Sequence, residues 1–223
     1  MTHAPSLAAS PATDTESLSR QDRKEFTRSS LMQAALSLMS EGRSFTSLGI
    51  REIAREAGMV PNAFYRHFRT TDELGVALVD EVGVTLRQLL REARQPGMRN
   101  IAMVRRSVAV YHRYVLDNRV LFLFIAGERS GGSRALRQAI RSEVRHFVDE
   151  LVQDMRHMGL YPEMSSMNLR MIGELIITTM LSAVPDIVDL PDGHSTLEHE
   201  MLQNFVHQLQ VIFLGASSWR DKA

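Results

Sequence analysis

Cysteine is absent from the 223 residues, which excludes disulfides and thiolate metal sites. No apolar run approaches the roughly 18–20 residues that a membrane span needs. Met1–Ser19 has neither a basic start nor an apolar centre, so it does not read as a secretory signal, and the expected compartment is the cytoplasm. Nowhere does hydropathy alternate with the two-residue period of a strand. There is no phosphate-cradling glycine loop and no Ser-x-x-Lys or Gly-x-Ser-x-Gly nucleophile setting. His194, His199 and His207 lack the i, i+4 spacing of a helical zinc pair. The chain does not read as an enzyme, and no metal or cofactor is expected.

Net charge is also missing, because Lys plus Arg and Asp plus Glu number 26 each. The charges are unevenly spread. Between Arg20 and Arg69 nine positive residues stand against five negative ones, a net of +4, so the remainder is acidic by the same amount. A modest basic patch on a neutral chain suits a protein that must hold DNA and also leave it.

What is present is helical. In Leu48–Phe68, Leu48, Ile53, Ala54 and Ala57 recur at helical spacing opposite Arg51, Glu52, Arg55 and Glu56. Ser47 is placed to cap that helix, and Gly58 can take the left-handed conformation that ends it. Pro61 fits the first turn of a second helix. Phe64 and Phe68 then point back at the first helix and leave Asn62, Ala63, Tyr65, Arg66 and His67 outward. That is a helix-turn-helix whose second helix can enter a major groove.

The wording of this stretch, REIAREAG at Arg51–Gly58, FYRHF at Phe64–Phe68 and DEL at Asp72–Leu74, resembles the DNA-binding signature of the TetR family of bacterial repressors. The resemblance implies DNA contacts at Ser47, Arg51, Val60, Pro61, Asn62, Ala63, Tyr65, His67 and the residues opening the next helix, Thr71 among them. Arg28 and Arg66 complete the candidate set. Tyr65 and His67 can bond phosphate oxygens, Asn62 suits an adenine edge, and Ala63 can touch a thymine methyl. Two positions depart from the family: Val60 stands where Ser or Thr is frequent, and no Lys lies near Thr71.

Along the rest of the chain, residues 1–19 read as a disordered tail. A helix from Arg23 to about Glu41 carries Phe26, Leu31, Ala34, Ala35, Leu38 and Met39 inward, and Phe45 plugs the bundle behind it. Thr70-x-x-Glu73 resembles a capping box opening a helix to about Arg94, with Leu74, Leu78, Val82, Leu86 and Leu89 inward. Pro96-Gly97 and Asp192-Gly193 mark turns. Helices follow over Met98–Leu116, Val120–Arg129, Arg134–Met158, Asn168–Val184 and from Ser195 to near Gly215. The expected fold is all-α with about nine helices: a helix-turn-helix domain over 20–71 and a ligand-binding and dimerisation domain over 72–223.

A closer similarity covers Arg43–Gln95 and Glu128–Leu151 and fades after about Met155. These segments look like the FabR and DesT subgroup, which represses unsaturated-fatty-acid synthesis and likewise lacks the Lys near Thr71. The resemblance implies a long-chain acyl-CoA as effector, with no other cofactor. Met103, Val104, Val108, Phe122, Phe124, Ile125, Met155, Met171, Ile172, Ile176 and Met180 are the candidate lining, with Arg129, in Glu128-Arg129-Ser130-Gly131, either at a polar mouth or in an internal ion pair at a helix end. Methionine's flexibility suits chains of different shape, although for any single one of these residues plain core packing is the better reading. Leu202, Phe205, Leu209, Ile212 and Phe213, facing Leu169, Ala183 and Val184, form the expected homodimer surface. The expected partners are an operator duplex, a hydrophobic small molecule and a second copy, with no membrane. Two alternatives stay open: a repressor of an efflux or catabolic operon, and a helical acyl-CoA carrier that ignores DNA.

Overall fold

The computed structural model describes residues 19–94, 100–191 and 193–219. The expected tail over 1–18, the Pro96-Gly97 turn and Asp192 lie outside them. Among the described residues the regular structure is helical, with no strand. In chain order it comprises α1 (Arg20–Ser40), a 3-10 turn (Phe45–Ser47), α2 (Ile50–Glu56), α3 (Pro61–Phe64), α4 (Thr71–Ala93), α5 (Asn100–Asp117), α6 (Arg119–Glu128), α7 (Arg134–His157), α8 (Ser166–Ser182), α9 (Val184–Val188) and α10 (Ser195–Ser218). The all-α expectation holds. Beyond the helices expected, Pro185 sits in the first turn of the short α9, directly after α8.

Local chemistry sets most boundaries. Ser19 opens α1 through a reciprocal capping box: its hydroxyl accepts from the Asp22 amide at 3.1 Å while the Asp22 carboxylate accepts from the Ser19 amide at 3.0 Å. Thr70 accepts from the Glu73 amide at 3.1 Å, but the Glu73 carboxylate reaches past it to the Arg69 amide at 2.7 Å. Ser133 and Ser165 cap α7 and α8 in the ordinary way. The expected cap at Ser47 is not formed. That residue closes the 3-10 turn, its hydroxyl donating to Ser44 O at 2.7 Å, and Gly49 precedes α2 without a side-chain cap. Ser195 is likewise the first residue of α10 rather than its cap.

Burial follows the expected stripes with two exceptions. On α1, Leu31, Ala34, Ala35, Leu38 and Met39 are buried, but Phe26 is 67% exposed beside a surface groove that also touches Glu56 and Ala57. On α4 the buried row continues Leu86, Leu90, four residues on, and Leu89 is only half-buried.

α4 is the spine. It begins three residues after Phe68 and packs along α7, with α5 against its later half. Its apolar side meets α7 at Gly75, where a Cβ would fall 2.7 Å from Phe45 Cζ and 2.8 Å from a Leu136 methyl. The missing side chain lets the Phe45 ring enter between α4, α6 and α7, with its centroid 4.7 Å from that of Phe124. The polar side of the same contact is a charge ladder. Arg87 pairs with Glu143 and with Glu150 at 3.1 Å, Arg91 with Glu150 at 2.7 Å, and Arg94 with Asp154 at 2.6 Å.

The expectation about apolar runs needs correcting. Ser166–Val188 is long and apolar enough, at mean hydropathy 1.6, to pass as a span by composition. One face of it packs against the bundle instead: Leu169, Ile172, Ile176 and Ile177 are buried against neighbouring helices, and Arg170 pairs with Asp149 of α7.

Candidate functional site

The first surface is built by α1, α2 and α3. Gly58 takes φ +68 after α2, and Pro61 starts α3 where a missing amide hydrogen costs nothing. Phe64 and Phe68 are fully buried, their rings 5.6 Å apart, which fixes the rotation of everything between them. Asn62, Tyr65 and Arg66 are thereby exposed, with Ala63 and His67 half-exposed. Ser47, Arg51, Val60 and Pro61 are exposed as well, and Thr71 is half-buried at the start of α4. The sequence reading made the second helix longer. Its regular part is the four residues Pro61–Phe64, and Tyr65–His67 form the turn that follows.

Two ionic contacts brace this unit. Arg43 forks onto both oxygens of the Glu52 carboxylate and holds the loop against α2, and its guanidinium keeps that carboxylate below its ordinary pKa. Ser37 donates to Glu56 at 2.8 Å and ties α1 to α2. Arg28 packs its guanidinium over the Phe68 ring at 4.5 Å, so this candidate contact also supports the turn it flanks. His67 sits amid positive charge. Burial lowers its pKa first, and Lys24, Arg28 and Arg66 push the same way, so the ring is neutral at pH 7 in the free protein.

The second feature is a pair of apolar lobes inside the α4, α5, α7 and α8 bundle. The first, of about 60 Å3, is lined by Val79, Val82, Leu86, Tyr111, Phe122, Ile125, Ile140 and Val144, among others. The second, of about 50 Å3, lies between Met103, Val104, Val108, Leu151, Met155, Met158, Ile176, Leu209 and Phe213. Leu90, Phe147, Ile177 and Met180 line both and so form the neck between them. Tyr111 floors the first lobe, donating its hydroxyl to Met180 O at 2.8 Å, and burial pushes its phenol pKa up. Arg87 and Arg94 border the second lobe, already paired within the ladder.

Eight expected lining residues therefore lie on these lobes: Met103, Val104, Val108, Phe122, Ile125, Met155, Ile176 and Met180. Three do not. Phe124 is buried against Phe45, Ile172 is buried without lining either lobe, and Met171 is 39% exposed on the outer side of α8. Arg129 borders a separate surface groove. The contribution of α4 was missed because it reads as a connector. Its signal is Val79 and Leu90, which widen the apolar stripe beside the expected Val82 and Leu86.

Of the residues expected to face a second copy, Leu169, Val184, Phe205 and Leu209 are buried in the subunit's own core. Ala183, Leu202, Ile212 and Phe213 are half-buried. The same two helices turn other apolar side chains out: Met167, Met171 and Leu175 on α8, and Leu197, Val211 and Leu214 on α10.

Comparison with known proteins agrees with this architecture. Residues 31–78 match the family model for bacterial regulatory proteins of the tetR family, and residues 101–208 match that for the tetracyclin repressor-like C-terminal domain. Among solved structures, the fatty acid degradation regulator FadR from Bacillus halodurans superposes with TM-score 0.66 at 14% identity, covering 88% of this chain and 97% of that one. A tetR-family transcriptional regulator from Streptomyces coelicolor gives TM-score 0.65 at 22% identity, over 88% and 84%. AibR in complex with isovaleryl coenzyme A and operator DNA gives 0.60 at 16%, over 82% and 97%. At these identities the likeness is one of fold.

Proposed function

The chain belongs to the tetR family of bacterial regulatory proteins and is a transcriptional regulator of that type; from this premise we propose that it is a cytoplasmic homodimeric repressor whose DNA affinity is set by a long-chain acyl-CoA. The observation that carries the reading is the placement of α4. One helix begins directly behind the reading turn and lines both apolar lobes.

The lobes are small. A water-sized sphere needs about 10–15 Å3, so about 60 and 50 Å3 hold a handful of such spheres and not an extended alkyl chain. A chain entering the neck must move side chains and, with them, the helix that carries Val82, Leu86 and Leu90. A ligand shifts DNA affinity only through its preference for one arrangement over another. Widening the lobes tilts α4, and that tilt sets the spacing of the two reading turns in a dimer. Bent and straight chains fill the volume differently and stabilise different tilts. The fatty-acid class draws support from the resemblance to the FabR and DesT subgroup and from two solved relatives, one described as a fatty acid degradation regulator and one holding an acyl-CoA with operator DNA.

Assembly follows the same helices. The outward stripe Met171, Leu175, Val211 and Leu214 is the surface we assign to the second copy, in place of the buried Phe205 and Leu209. Two-fold pairing there makes the operator a near-palindrome, with half-sites roughly 34–36 Å apart or somewhat more.

The DNA side is tested on a duplex selected by the protein from a random pool. Tyr65→Phe and His67→Ala weaken binding to all sequences alike, because phosphates carry no base identity. Asn62→Ala instead relaxes one base pair by about 1–3 kcal/mol. His67 adds a pH signature. Its pKa is lowered in the free protein and a neighbouring phosphate raises it, so binding takes up a proton. Affinity therefore rises as the pH falls from about 7.5 to about 6, and His67→Gln is flat over that range. An unchanged preference in Asn62→Ala, or a pH slope that survives in His67→Gln, contradicts these assignments.

A further inference from the structure

The first lobe adjoins a surface groove. Phe122, Ile125 and Leu181 line the first lobe and also form the inner wall of a groove of about 240 Å3 between α6 and the α8–α9 junction. The groove's outer rim is polar: Arg129 and Ser130 leave the end of α6, and Ser182 ends α8. The side chains between the Ile177–Met180 neck and this rim, Phe122, Ile125 and Leu181, are apolar.

The charges around the lobes and the groove are arranged unequally. Arg87 and Arg94, at the second lobe, are neutralised by Glu143, Glu150 and Asp154. Arg129 is exposed, and its guanidinium has no hydrogen bond or ion pair among the described residues. Its neighbour Glu128 does not neutralise it. That carboxyl is buried, with Oε2 lacking any partner, and its surroundings are Asp72 and Arg137 on the other side of the helix end. An apolar wall thus meets an exposed guanidinium at the groove's rim.

We infer that the groove at Arg129, Ser130 and Ser182 is the head-group subsite for a single-chain amphipathic anion whose tail runs inward past Phe122 and Ile125 to the Ile177–Met180 neck. The tail gains from leaving water, and the head gains a charge-assisted bond from the guanidinium, with the Ser130 hydroxyl as a further donor, while the Ser182 hydroxyl already donates to Thr179 O at 2.9 Å. The shared chemistry is an anionic group, either the carboxylate of a free fatty acid or the phosphates of its coenzyme A ester. The subsite also has a consequence for DNA. Arg129 adjoins Glu128, which lies beside Asp72, and Asp72 accepts from Ser133 at 2.8 Å in the first turn of α4. A head group on Arg129 therefore acts within a few residues of the start of the helix behind the reading turn.

This inference rests on the reading of the lobes as an effector site. It is tested by calorimetric titration of the full chain with dodecanoate, dodecanoyl-CoA and dodecanol. The wild type is expected to bind at least one of the anions about tenfold or more tighter than the alcohol, and which one identifies the head group. R129Q brings that anion down to the alcohol's level, and R129K restores most of the preference. An anion preference that persists in R129Q, a loss that occurs in R94Q instead, or no binding of any of the three overturns the inference. Retention of the wild type on salt-graded duplex DNA, run in parallel without ligand, reports on the repressor reading alone. Its absence removes that reading while the Arg129 result is scored by itself.

Discussion

Phe45→Ala is expected to cost about 3–5 kcal/mol of folding free energy, the range for emptying a buried aromatic site that cannot collapse. The ring is 4% exposed and fills a slot whose walls come from three helices: Gly75 of α4, Phe124 of α6 and Leu136 of α7. These walls are fixed by their own packing, so little relaxation is available to shrink the void. The loop that carries Phe45 leads directly into α2, which makes the ring a pin between the reading unit and the helical bundle. Urea denaturation followed by circular dichroism measures the loss, and DNA binding at a temperature where the variant stays folded measures the pin. A destabilisation below about 1 kcal/mol would mean that the slot closes over the gap, and the joint described here would then be wrong.

Ile177→Trp is expected to lower the affinity for a long-chain ligand about a hundredfold, and, because the indole itself fills part of the lobes, to shift duplex binding without ligand toward that of the ligand-bound protein. Ile177 lines both lobes at their neck, where a chain spanning the two must pass. An indole there occupies the room of about four methylenes, and at about 0.8 kcal/mol each that is about 3 kcal/mol of lost burial. Ile177 is 6% exposed and belongs to α8, away from α1, α2 and α3, so a change in duplex binding comes through α4 and not through the DNA surface itself. Calorimetry with palmitoyl-CoA reads the ligand effect. Full palmitoyl-CoA affinity in a folded Ile177→Trp protein would place the ligand elsewhere.

The sequence was most informative where a residue's role is local. The Gly58 turn, the Pro61 start and the paired Phe64 and Phe68 were legible because each follows from backbone conformation or helical period over a few residues. The plug at Phe45 was legible too, as a lone aromatic in a short loop between two amphipathic helices. Longer-range facts were not. Phe205 and Leu209 carry the same apolar signal whether they bury against their own subunit or a second one, and only the packing of α5 and α8 on α10 separates the cases. Met171 looked like pocket lining because α8 is apolar almost all round, so its period did not say which face turns inward. The ladder of Arg87, Arg91 and Arg94 with Glu143, Glu150 and Asp154 joins residues some sixty positions apart. No local pattern announces it.

The central claim is that filling the lobes changes the grip on DNA. It is tested most directly by fluorescence anisotropy of the selected duplex titrated with protein alone, with oleoyl-CoA and with palmitoyl-CoA, calorimetry having first confirmed that both ligands bind. A ligand-induced change in operator affinity of about fivefold or more, differing between the bent and the straight chain, is the predicted result. Three equal affinities with both ligands bound would contradict the coupling through α4 and remove the fatty-acid reading, leaving only the fold and the family.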